Sequence, residues 1–404
     1  VSTRSACKPP RKHALRARMR IGLDFDNTIA CYDAVFESIA RERGYVSQSW
    51  SGPKAEVRVA VRSRPQGELD WQRLQGQVYG KYMHLANVFP EVANFLLRSK
   101  ARNDELFIVS HKTEFGHYDP DKIPLREEAL RWMRANRFFG ASGLGLSEEN
   151  VFFANTREEK IGEISRLKCE VFIDDLWEVF AEPGFPNETR KILFQPESYD
   201  HNPKLYALIS DSWREIAQCV FGVEEDVEEI EKQIGFAVGG PIKSVSAVVG
   251  RANSRIFKVE VGKESLAAKF YPDRARDPRD RLSAERNASE FVGEYCTESA
   301  LEFVGSTPAL NMSLYRWVEG VAVTDILKKD IRQALEFVAQ LHVAARAPSA
   351  EMFPVASEAC LCEEDLWSQI GCKRRRLDKV MSSSGDLGRF LTEVFDPLAS
   401  SFAR

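Results

Sequence analysis

The sequence predicts an α/β protein in which a parallel sheet covered by helices is followed by a region of antiparallel strands. From Arg20 to about Phe194, short apolar runs alternate with segments whose apolar residues recur every three or four positions. Beyond residue 236, apolar residues alternate with a period of two. The chain of 404 residues is also too long for one ordinary domain. We therefore expect two domains of different architecture.

The apolar runs of the first region have the length of buried strands, and helical patterns separate them. These runs are RIGLDF, ELFIVSH, NVFFANT, EVFIDD and KILFQP. The helical patterns between them cover residues 32–44, 89–100, 124–138 and 158–168. Five strands joined by crossover helices predict a Rossmann-like parallel sheet.

The first two runs are separated by far more chain than one crossover helix requires. The excess includes an alternating stretch, AEVRVAVRS at 55–63, and a helical pattern at 69–83. It predicts a small cap, inserted at about 45–85 into a domain of residues 19–222. Residues 1–18 carry six Lys or Arg and no acid, which predicts a disordered basic extension. A basic tail or a transit-like segment is the alternative.

The composition limits the classes of function. An apolar fraction of 44% with 29% charged residues is typical of a soluble globular protein, and we expect a cytoplasmic one. The net charge of −4 does not favour a nucleic-acid partner, and no apolar run approaches the roughly 18 residues of a membrane span. The eight cysteines lack paired CxxC spacing, which favours reduced thiols over disulfides or a zinc site.

Four carboxylates follow two of the predicted strands. Asp24 and Asp26 come after the first strand, and Asp174 with Asp175 ends the fourth. Functional groups of an open α/β sheet gather at the carboxyl ends of its strands, and in this topology the fourth strand can lie beside the first. Acids so close together would raise each other's pKa unless a hard cation neutralised them. The cation predicted here is Mg²⁺, which takes carboxylate, water and phosphate oxygens.

Two further polar residues are suited to a phosphoryl group. Ser110 ends the second strand and offers a hydroxyl to a phosphate oxygen. Lys160, on the helix before the fourth strand, can offset the negative charge of a transferring phosphoryl group. In the loop after Ser110, the side chains of His111, Lys112 and His117 either bind substrate or form a polar loop at the strand end.

The motif DFDNT at 24–28 resembles the first motif, DxDxT, of the haloacid dehalogenase-like superfamily. The other three motifs of that superfamily are matched, in the expected order over residues 19–220, by Ser110, Lys160 and Asp174–Asp175. Dehalogenases of the superfamily lack an acid at the position of Asp26, so the resemblance implies a phosphatase. A phosphomutase uses the same residues, and only the cap could distinguish the two.

This resemblance implies a role for each residue. Asp24 would be the nucleophile that forms an aspartyl-phosphate, and Asp26 would protonate the leaving oxygen and then activate the hydrolytic water. Mg²⁺ would be held by Asp24, Asp174, the backbone carbonyl of Asp26 and, through water, Asp175. The implied partner is a small phosphorylated substrate, for which a sugar phosphate is one candidate.

An acidic run at 223–236 predicts a solvated linker helix before a second domain of residues 237–404. The alternating runs KSVSAVVG, RIFKVEVG and SLAAKFY predict an antiparallel meander. A helix at 280–296, a strand at 312–318 and a helix at 330–345 are predicted beyond it.

The meander resembles the small lobe of aminoglycoside phosphotransferase-like kinases. GRANSRIFKVEV at 250–261 lies where a nucleotide-phosphate loop would be, and LYRWVEG at 314–320 where the hinge would be. The resemblance implies that Lys269 contacts nucleotide phosphates and that Glu285, in the next helix, is its ion-pair partner.

The catalytic loop of such kinases, HGDxxxxN, has one candidate here, SSGDLGRFL, which does not match. Ser384 replaces the histidine, Leu391 replaces the asparagine, and no room remains for a later metal-binding aspartate. We therefore expect an incomplete kinase-like α+β small lobe with the helical start of a large lobe, and weak or undetectable ATP binding. Two alternatives stay open: a small-molecule kinase with an accessory first domain, and a non-catalytic binding protein made of two degenerate enzyme domains.

Overall fold

A computed structural model describes residues 18–116, 118, 121–194, 203–248, 254–272, 279–297, 300–321, 323, 325–353, 362–381 and 385–402. The chain divides into two compact units, Val1–Asp325 and Ile326–Arg404. Several predictions fall outside the described residues: the basic extension apart from Arg18, the loop residue His117, and residues 250–253 of the predicted phosphate loop.

The first unit begins with the predicted alternation of strands and helices. Its strands in this part are β1 (Arg20–Leu23), β2 (Ala30–Cys31), β3 (Asn87–Val88), β4 (Glu105–His111), β5 (Val151–Ala154), β6 (Val171–Asp174), β7 (Arg190–Phe194) and β8 (Leu208–Ser210). Its helices are α1 (Asp33–Glu42), α2 (Lys54–Arg62), α3 (Gly67–Tyr79), α4 (Val92–Ala101), α5 (Leu125–Ala135), α6 (Arg157–Arg166), α7 (Trp177–Ala181), α8 (Trp213–Phe221) and α9 (Val227–Val238).

Six of the described strands form one parallel sheet, in the order β5-β4-β1-β6-β7-β8. The strand β1 is central, because Leu23 pairs with Ile108 of β4 on one side and with Ile173 of β6 on the other. The predicted Rossmann-like sheet, with the fourth apolar run beside the first, is confirmed. The short strand β8 adds a sixth to the five predicted.

Both faces of this sheet are buried, and for this reason its strands read as continuous apolar runs. Successive residues of β4 enter different cores: Ile108 joins the core that contains α4, α5 and α8, and Val109 joins the core that contains α6 and α7. Gly22 of β1 lies against Phe172 of β6, where an added Cβ would come within 2.5 Å of a ring carbon. The close contact between these neighbouring strands therefore requires a glycine.

The segment predicted as a cap contains the helices α2 and α3. Its alternating stretch lies in α2, where Val57 and Val61 are fully buried and Val59, between them, is 68% exposed. Over so short a run, a period of two also places apolar residues four positions apart, on one face of a helix. On either side of α1, α2 and α3 in the chain, the two-residue strands β2 and β3 pair antiparallel.

The acidic run forms the helix α9, but this helix is not solvated on all sides as predicted. Ile230 and Ile234 are buried in the apolar core that also contains α4, and Glu229 is fully buried. The Glu229 carboxylate accepts hydrogen bonds from Arg98 Nε at 2.9 Å and from Arg102 Nη1 at 2.6 Å. The sequence of α9 is dominated by acidic residues, but Ile230 and Ile234, four positions apart, form an apolar stripe that packs against α4.

The rest of the first unit contains an antiparallel sheet with five described strands, in the order β12-β13-β11-β10-β9. Its elements are β9 (Ser244–Val248), β10 (Arg255–Val261), β11 (Glu264–Phe270), α10 (Arg281–Tyr295), β12 (Phe303–Thr307) and β13 (Met312–Arg316). The antiparallel arrangement is confirmed, and β12 is a strand that the pattern does not predict. The kinase-like character of this sheet stays a prediction.

The second unit is mainly helical in its described residues. Its elements are α11 (Lys328–Ala344), α12 (Glu363–Met381), α13 (Gly385–Phe390), a π-helical turn (Leu391–Phe395) and α14 (Asp396–Phe402). Arg374 of α12 donates to both carboxylate oxygens of Asp396, at 2.8 and 2.7 Å. Asp386 of the mismatched catalytic loop lies in α13, and Ser384 lies outside the described residues.

Across the described parts of the chain, no helix is both long and apolar enough to cross a membrane.

Candidate active site

Six of the predicted site residues come together at the carboxyl edge of the parallel sheet. They are Asp24, Asp26, Ser110, Lys160, Asp174 and Asp175. Asp24 directly follows β1, Ser110 lies near the end of β4, and Asp174 ends β6. Because β1 lies between β4 and β6, the fold places these three side chains side by side. Carboxylate oxygens of Asp24, Asp174 and Asp175 lie within 4.8 Å of one another.

Lys160 of α6 ties the acids of two strands together. Its Nζ donates to Asp24 Oδ1 and to Asp174 Oδ2, at 2.6 Å each. All three residues are buried. A backbone hydrogen bond joins the ends of the same two strands, since the Asp24 amide donates to the Ile173 carbonyl at 2.8 Å. The ammonium and the two carboxylates are thus held by packing and hydrogen bonds before any ligand binds.

The acids of this cluster carry more negative charge than Lys160 neutralises. Burial raises the pKa of Asp24 to about 7, Lys160 opposes that rise, and the neighbouring Asp174 adds to it. Burial and the charges of Asp174 and Asp24 hold the pKa of Asp175 well above its usual range. Burial alone would lower the pKa of Lys160, but the two carboxylates outweigh it and raise that pKa. A bound cation would relieve the remaining repulsion between the acids.

Asp26 is held by two donors that come from different elements. The Tyr32 hydroxyl donates to its Oδ1 at 2.5 Å, and Lys112 Nζ donates to Oδ1 at 2.9 Å and to Oδ2 at 2.7 Å. Tyr32 precedes α1, and Lys112 follows β4. Both residues are buried, whereas the Asp26 side chain is 16% exposed.

Ser110 is buried, yet its hydroxyl has no hydrogen-bond partner among the residues that the structure describes. Most buried hydroxyl groups are paired, so an unpaired one beside a cavity is available to a ligand. Ser110 lines the same cavity as Asp24. Its position therefore suits a donor to a bound oxygen, as the sequence predicts.

Two cavities meet at Asp26, which lines both. The larger has a volume of about 370 Å³ and contains the acids, Lys160 and Ser110 in its wall, together with Lys54 and Arg58 of α2. The smaller has a volume of about 190 Å³. It lies between α3 and the loop after β4, and its wall includes Gln72, Gln75, Tyr79, His111, Lys112 and Thr113.

The sequence pattern did not identify Tyr32 as a site residue. The available signal was its position directly before α1 and six residues after Asp26, because a buried tyrosine hydroxyl needs a partner. Lys112 was predicted to bind substrate or to lie in a polar loop, and the structure pairs it with Asp26. A role in substrate binding stays a prediction for both Lys112 and His111.

Lys269 and Glu285 form an ion pair in the antiparallel region, apart from the acidic cluster in sequence. Lys269 Nζ, on β11, lies 2.7 and 2.6 Å from the two carboxylate oxygens of Glu285, on α10. The Tyr315 hydroxyl donates to the same carboxylate at 3.2 Å. Both members of the pair are partly exposed. The predicted pairing is present, and a contact with nucleotide stays a prediction.

No known protein family model matches this sequence, and no curated protein matches it. Among solved structures, the chain is similar to a HAD family hydrolase from Deinococcus radiodurans R1, determined with bound phosphate and sodium. The identity is 14%, the alignment covers 50% of this chain and 95% of that chain, and the TM-score is 0.30. The fold and site themselves define an α/β protein with a buried acidic cluster at the carboxyl edge of its parallel sheet.

Proposed function

We propose that the first unit hydrolyses a phosphomonoester of a small metabolite, with Mg²⁺ and through an aspartyl-phosphate. One observation carries the proposal: the buried Nζ of Lys160 lies 2.6 Å from oxygens of both Asp24 and Asp174, in a cavity that Asp26 also lines. A carboxylate nucleophile, a second carboxyl group for proton transfer and a fixed ammonium are groups that this reaction can use.

The oxygen donors of the site fit a hard divalent cation. Asp24, Asp174 and Asp175 offer oxygens within 4.8 Å of one another, and burial, with a smaller contribution from the Asp174 carboxylate, raises the pKa of Asp24. Mg²⁺ would be held by Asp24, Asp174 and the backbone carbonyl of Asp26, with Asp175 acting through water. When bound, the cation would neutralise the carboxylates and the phosphoryl oxygens.

Two carboxyl groups divide the chemistry between them. An oxygen of Asp24 forms a bond to phosphorus as the bond to the leaving oxygen breaks, and Asp26 in its acid form gives that oxygen a proton. Asp26 then takes a proton from water, whose oxygen bonds to phosphorus while the bond to Asp24 breaks. The products are an alcohol and inorganic phosphate, and both carboxyl groups return to their starting forms.

Lys160 and Ser110 would orient the reacting groups. Lys160 holds Oδ1 of Asp24, which fixes the direction of the carboxylate. The hydroxyl of Ser110, which has no hydrogen-bond partner in the part of the chain that the structure describes, can donate to a phosphoryl oxygen. Both side chains are buried on regular elements, where packing limits their movement.

A panel of phosphate esters tests the proposal, with sugar phosphates, nucleotides and phosphorylated acids assayed in Mg²⁺ and in EDTA. We expect phosphate release from at least one class, its loss in EDTA, and its loss in Asp24→Asn. Acid-quenched labelling should trap phosphate on the wild-type chain and none on Asp24→Asn. A panel in which no ester is hydrolysed faster than by Asp24→Asn would rule the phosphatase out.

The ion pair of Lys269 with Glu285 supports a second candidate, a small-molecule kinase in which the parallel-sheet region is accessory. This candidate requires turnover of ATP that survives Asp24→Asn. The same assay therefore separates the two functions, since only the phosphatase depends on Asp24.

A further inference from the structure

Two buried donors are directed at the carboxylate of Asp26, although this residue lies in a turn after β1. Tyr32 contacts one carboxylate oxygen and Lys112 contacts both, at distances of 2.5 to 2.9 Å. A buried ammonium is costly unless it is paired, so Lys112 and Asp26 stabilise each other in this position.

Packing fixes the direction of both donors. The ring of Tyr32 packs edge-on against Phe36 and Tyr79, with ring centroids 6.5 and 4.7 Å apart. The Lys112 ammonium lies 5.5 Å from the ring centroid of Phe25 and 5.1 Å from that of Tyr79. Tyr79 of α3 thus contacts both donors, and neither can leave Asp26 without disturbing an aromatic cluster.

We propose that Tyr32 and Lys112 are positioning residues for Asp26, an inference that rests on the proposed phosphatase function. They hold the carboxyl group at the junction of the 370 Å³ and 190 Å³ cavities, with Asp24 in the wall of the larger. An ester with its phosphoryl group beside Asp24 and its alcohol in the smaller cavity has its bridging oxygen next to Asp26. The anchors set the direction from which the proton reaches that oxygen.

The dependence on the leaving group tests this role. An alkyl phosphate needs a proton on its departing oxygen, whereas p-nitrophenyl phosphate releases an anion that is already stable. In Tyr32→Phe we expect kcat on the alkyl ester to fall by roughly 10–100-fold, part of the usual effect of a general acid. Little change is expected in kcat on the nitrophenyl ester or in KM. Lys112→Met should show the same selectivity in kcat, but its KM is not part of this test because Lys112 also lines the smaller cavity.

Tyr45→Phe is the matched control, because Tyr45 lies beyond the other end of α1 and packs on Arg64. It should leave the ratio of the two rates unchanged. In an Asp26→Asn background, Tyr32→Phe should cause no further loss, since a residue that acts through Asp26 has nothing left to position.

Two results would overturn the inference: an equal loss on both esters in Tyr32→Phe, or an additive loss in the Asp26→Asn background. The alkyl ester is the best substrate of the panel of phosphate esters, so a wild-type chain that hydrolyses no ester of that panel faster than Asp24→Asn would instead refute the phosphatase function and this inference with it. The two failures are therefore distinct.

Discussion

The first unit contains two buried clusters of charge that differ in how their charges are balanced. The arginine cluster, formed by Arg98, Arg102 and Glu229, has two guanidinium groups and one carboxylate. Arg98 also donates hydrogen bonds to the backbone carbonyls of Gly222 and Glu224, at 3.1 Å each. Gly222 directly follows α8, where the end of a helix carries partial negative charge. The ring of Phe221 lies within 5.3 Å of both guanidinium groups.

The acidic cluster, formed by Asp24, Asp174, Asp175 and Lys160, contains three carboxyl groups and one ammonium and borders a cavity. Burial, and to a smaller extent the neighbouring carboxylates, raises the pKa of Asp24 and of Asp175, and Lys160 opposes the rise at both. Both clusters border a cavity, since Arg98 lines one of about 380 Å³, and Arg102 Nη2 has no hydrogen-bond partner among the described residues. The two clusters therefore differ in the groups they offer: the arginine cluster offers guanidinium donors, whereas the acidic cluster offers carboxylate oxygens suited to a cation. Four predictions follow this difference, from the largest expected effect to the smallest.

Lys160→Met should have the largest effect, because it leaves the acidic cluster without its ammonium. We expect hydrolysis to fall to the background rate. The free energy of unfolding, measured in EDTA, should fall by about 3–5 kcal/mol. Urea unfolding in EDTA and in Mg²⁺ measures the second effect, and Lys263→Met in an exposed turn is the control. Unchanged stability in EDTA would mean that the cluster does not depend on Lys160 for its balance.

Glu229→Gln should destabilise the fold by a similar amount while sparing the reaction. Arg98 and Arg102 would lose their buried carboxylate partner, at a cost of about 3–5 kcal/mol. Urea unfolding, together with kcat per folded molecule, tests both halves of the statement. The exposed neighbour Glu228→Gln should change stability by no more than about 0.5 kcal/mol. A loss of kcat in folded Glu229→Gln would show that the two clusters are coupled.

The stability of the metal-free protein should fall as pH rises, and Asp24→Asn should reduce that fall. In the unfolded chain Asp24 ionises near its ordinary pKa of 3.8, whereas in the fold it keeps its proton up to about pH 7. The folded state therefore binds more protons in this window, and the stability that Asp24 contributes below it is lost as pH rises through the window. We expect a difference on the order of 4 kcal/mol, measured by urea unfolding in EDTA. Parallel pH profiles for the two proteins would contradict the assignment, and Mg²⁺ should flatten the wild-type profile.

Lys269→Met should have the smallest effect, because its ion pair with Glu285 is partly exposed. We expect at most about 1 kcal/mol of lost stability. Calorimetry on the full chain should detect weak or no binding of Mg·ATP, with any residual binding lost in this variant. Lys258→Met, which removes another ion-paired lysine of the same sheet, is the control. A micromolar affinity for Mg·ATP would place the kinase function first.

Much of the fold could be predicted from the sequence because strands buried on both faces leave continuous apolar runs. The strand β8 could not, since Leu208–Ser210 is too short to show a pattern. In β12, Phe303–Thr307, the residues Gly305 and Ser306 break the apolar run. The helix α2 has an alternating pattern, and only the burial of Val57 and Val61 assigns its face.

The site could be predicted as far as each residue follows a recognisable strand or helix. Asp24, Ser110 and Asp174 lie at strand ends that the topology brings together. The contact of Tyr32 with Asp26 depends instead on how the turn between them folds, and a tyrosine at the start of an amphipathic helix resembles any core residue. The burial of Lys112 could not be predicted either, because its ammonium lies over the rings of Phe25 and Tyr79, which come from distant segments of the chain.

The buried face of α9 determines where the chain can be cut for laboratory study. A fragment ending at Gly222 would retain every residue of the acidic cluster and still lose Glu229, Ile230 and Ile234. Two guanidinium groups would then be left without their carboxylate, on an apolar surface open to water. A fragment that continues to Gly239, where the helix ends with a left-handed residue, keeps Glu229, Ile230 and Ile234 against α4, although Phe257 and Leu310 of the antiparallel region belong to the same core. For anyone who expresses the parallel-sheet region alone, the helix that looks like a linker belongs to the piece that must be kept.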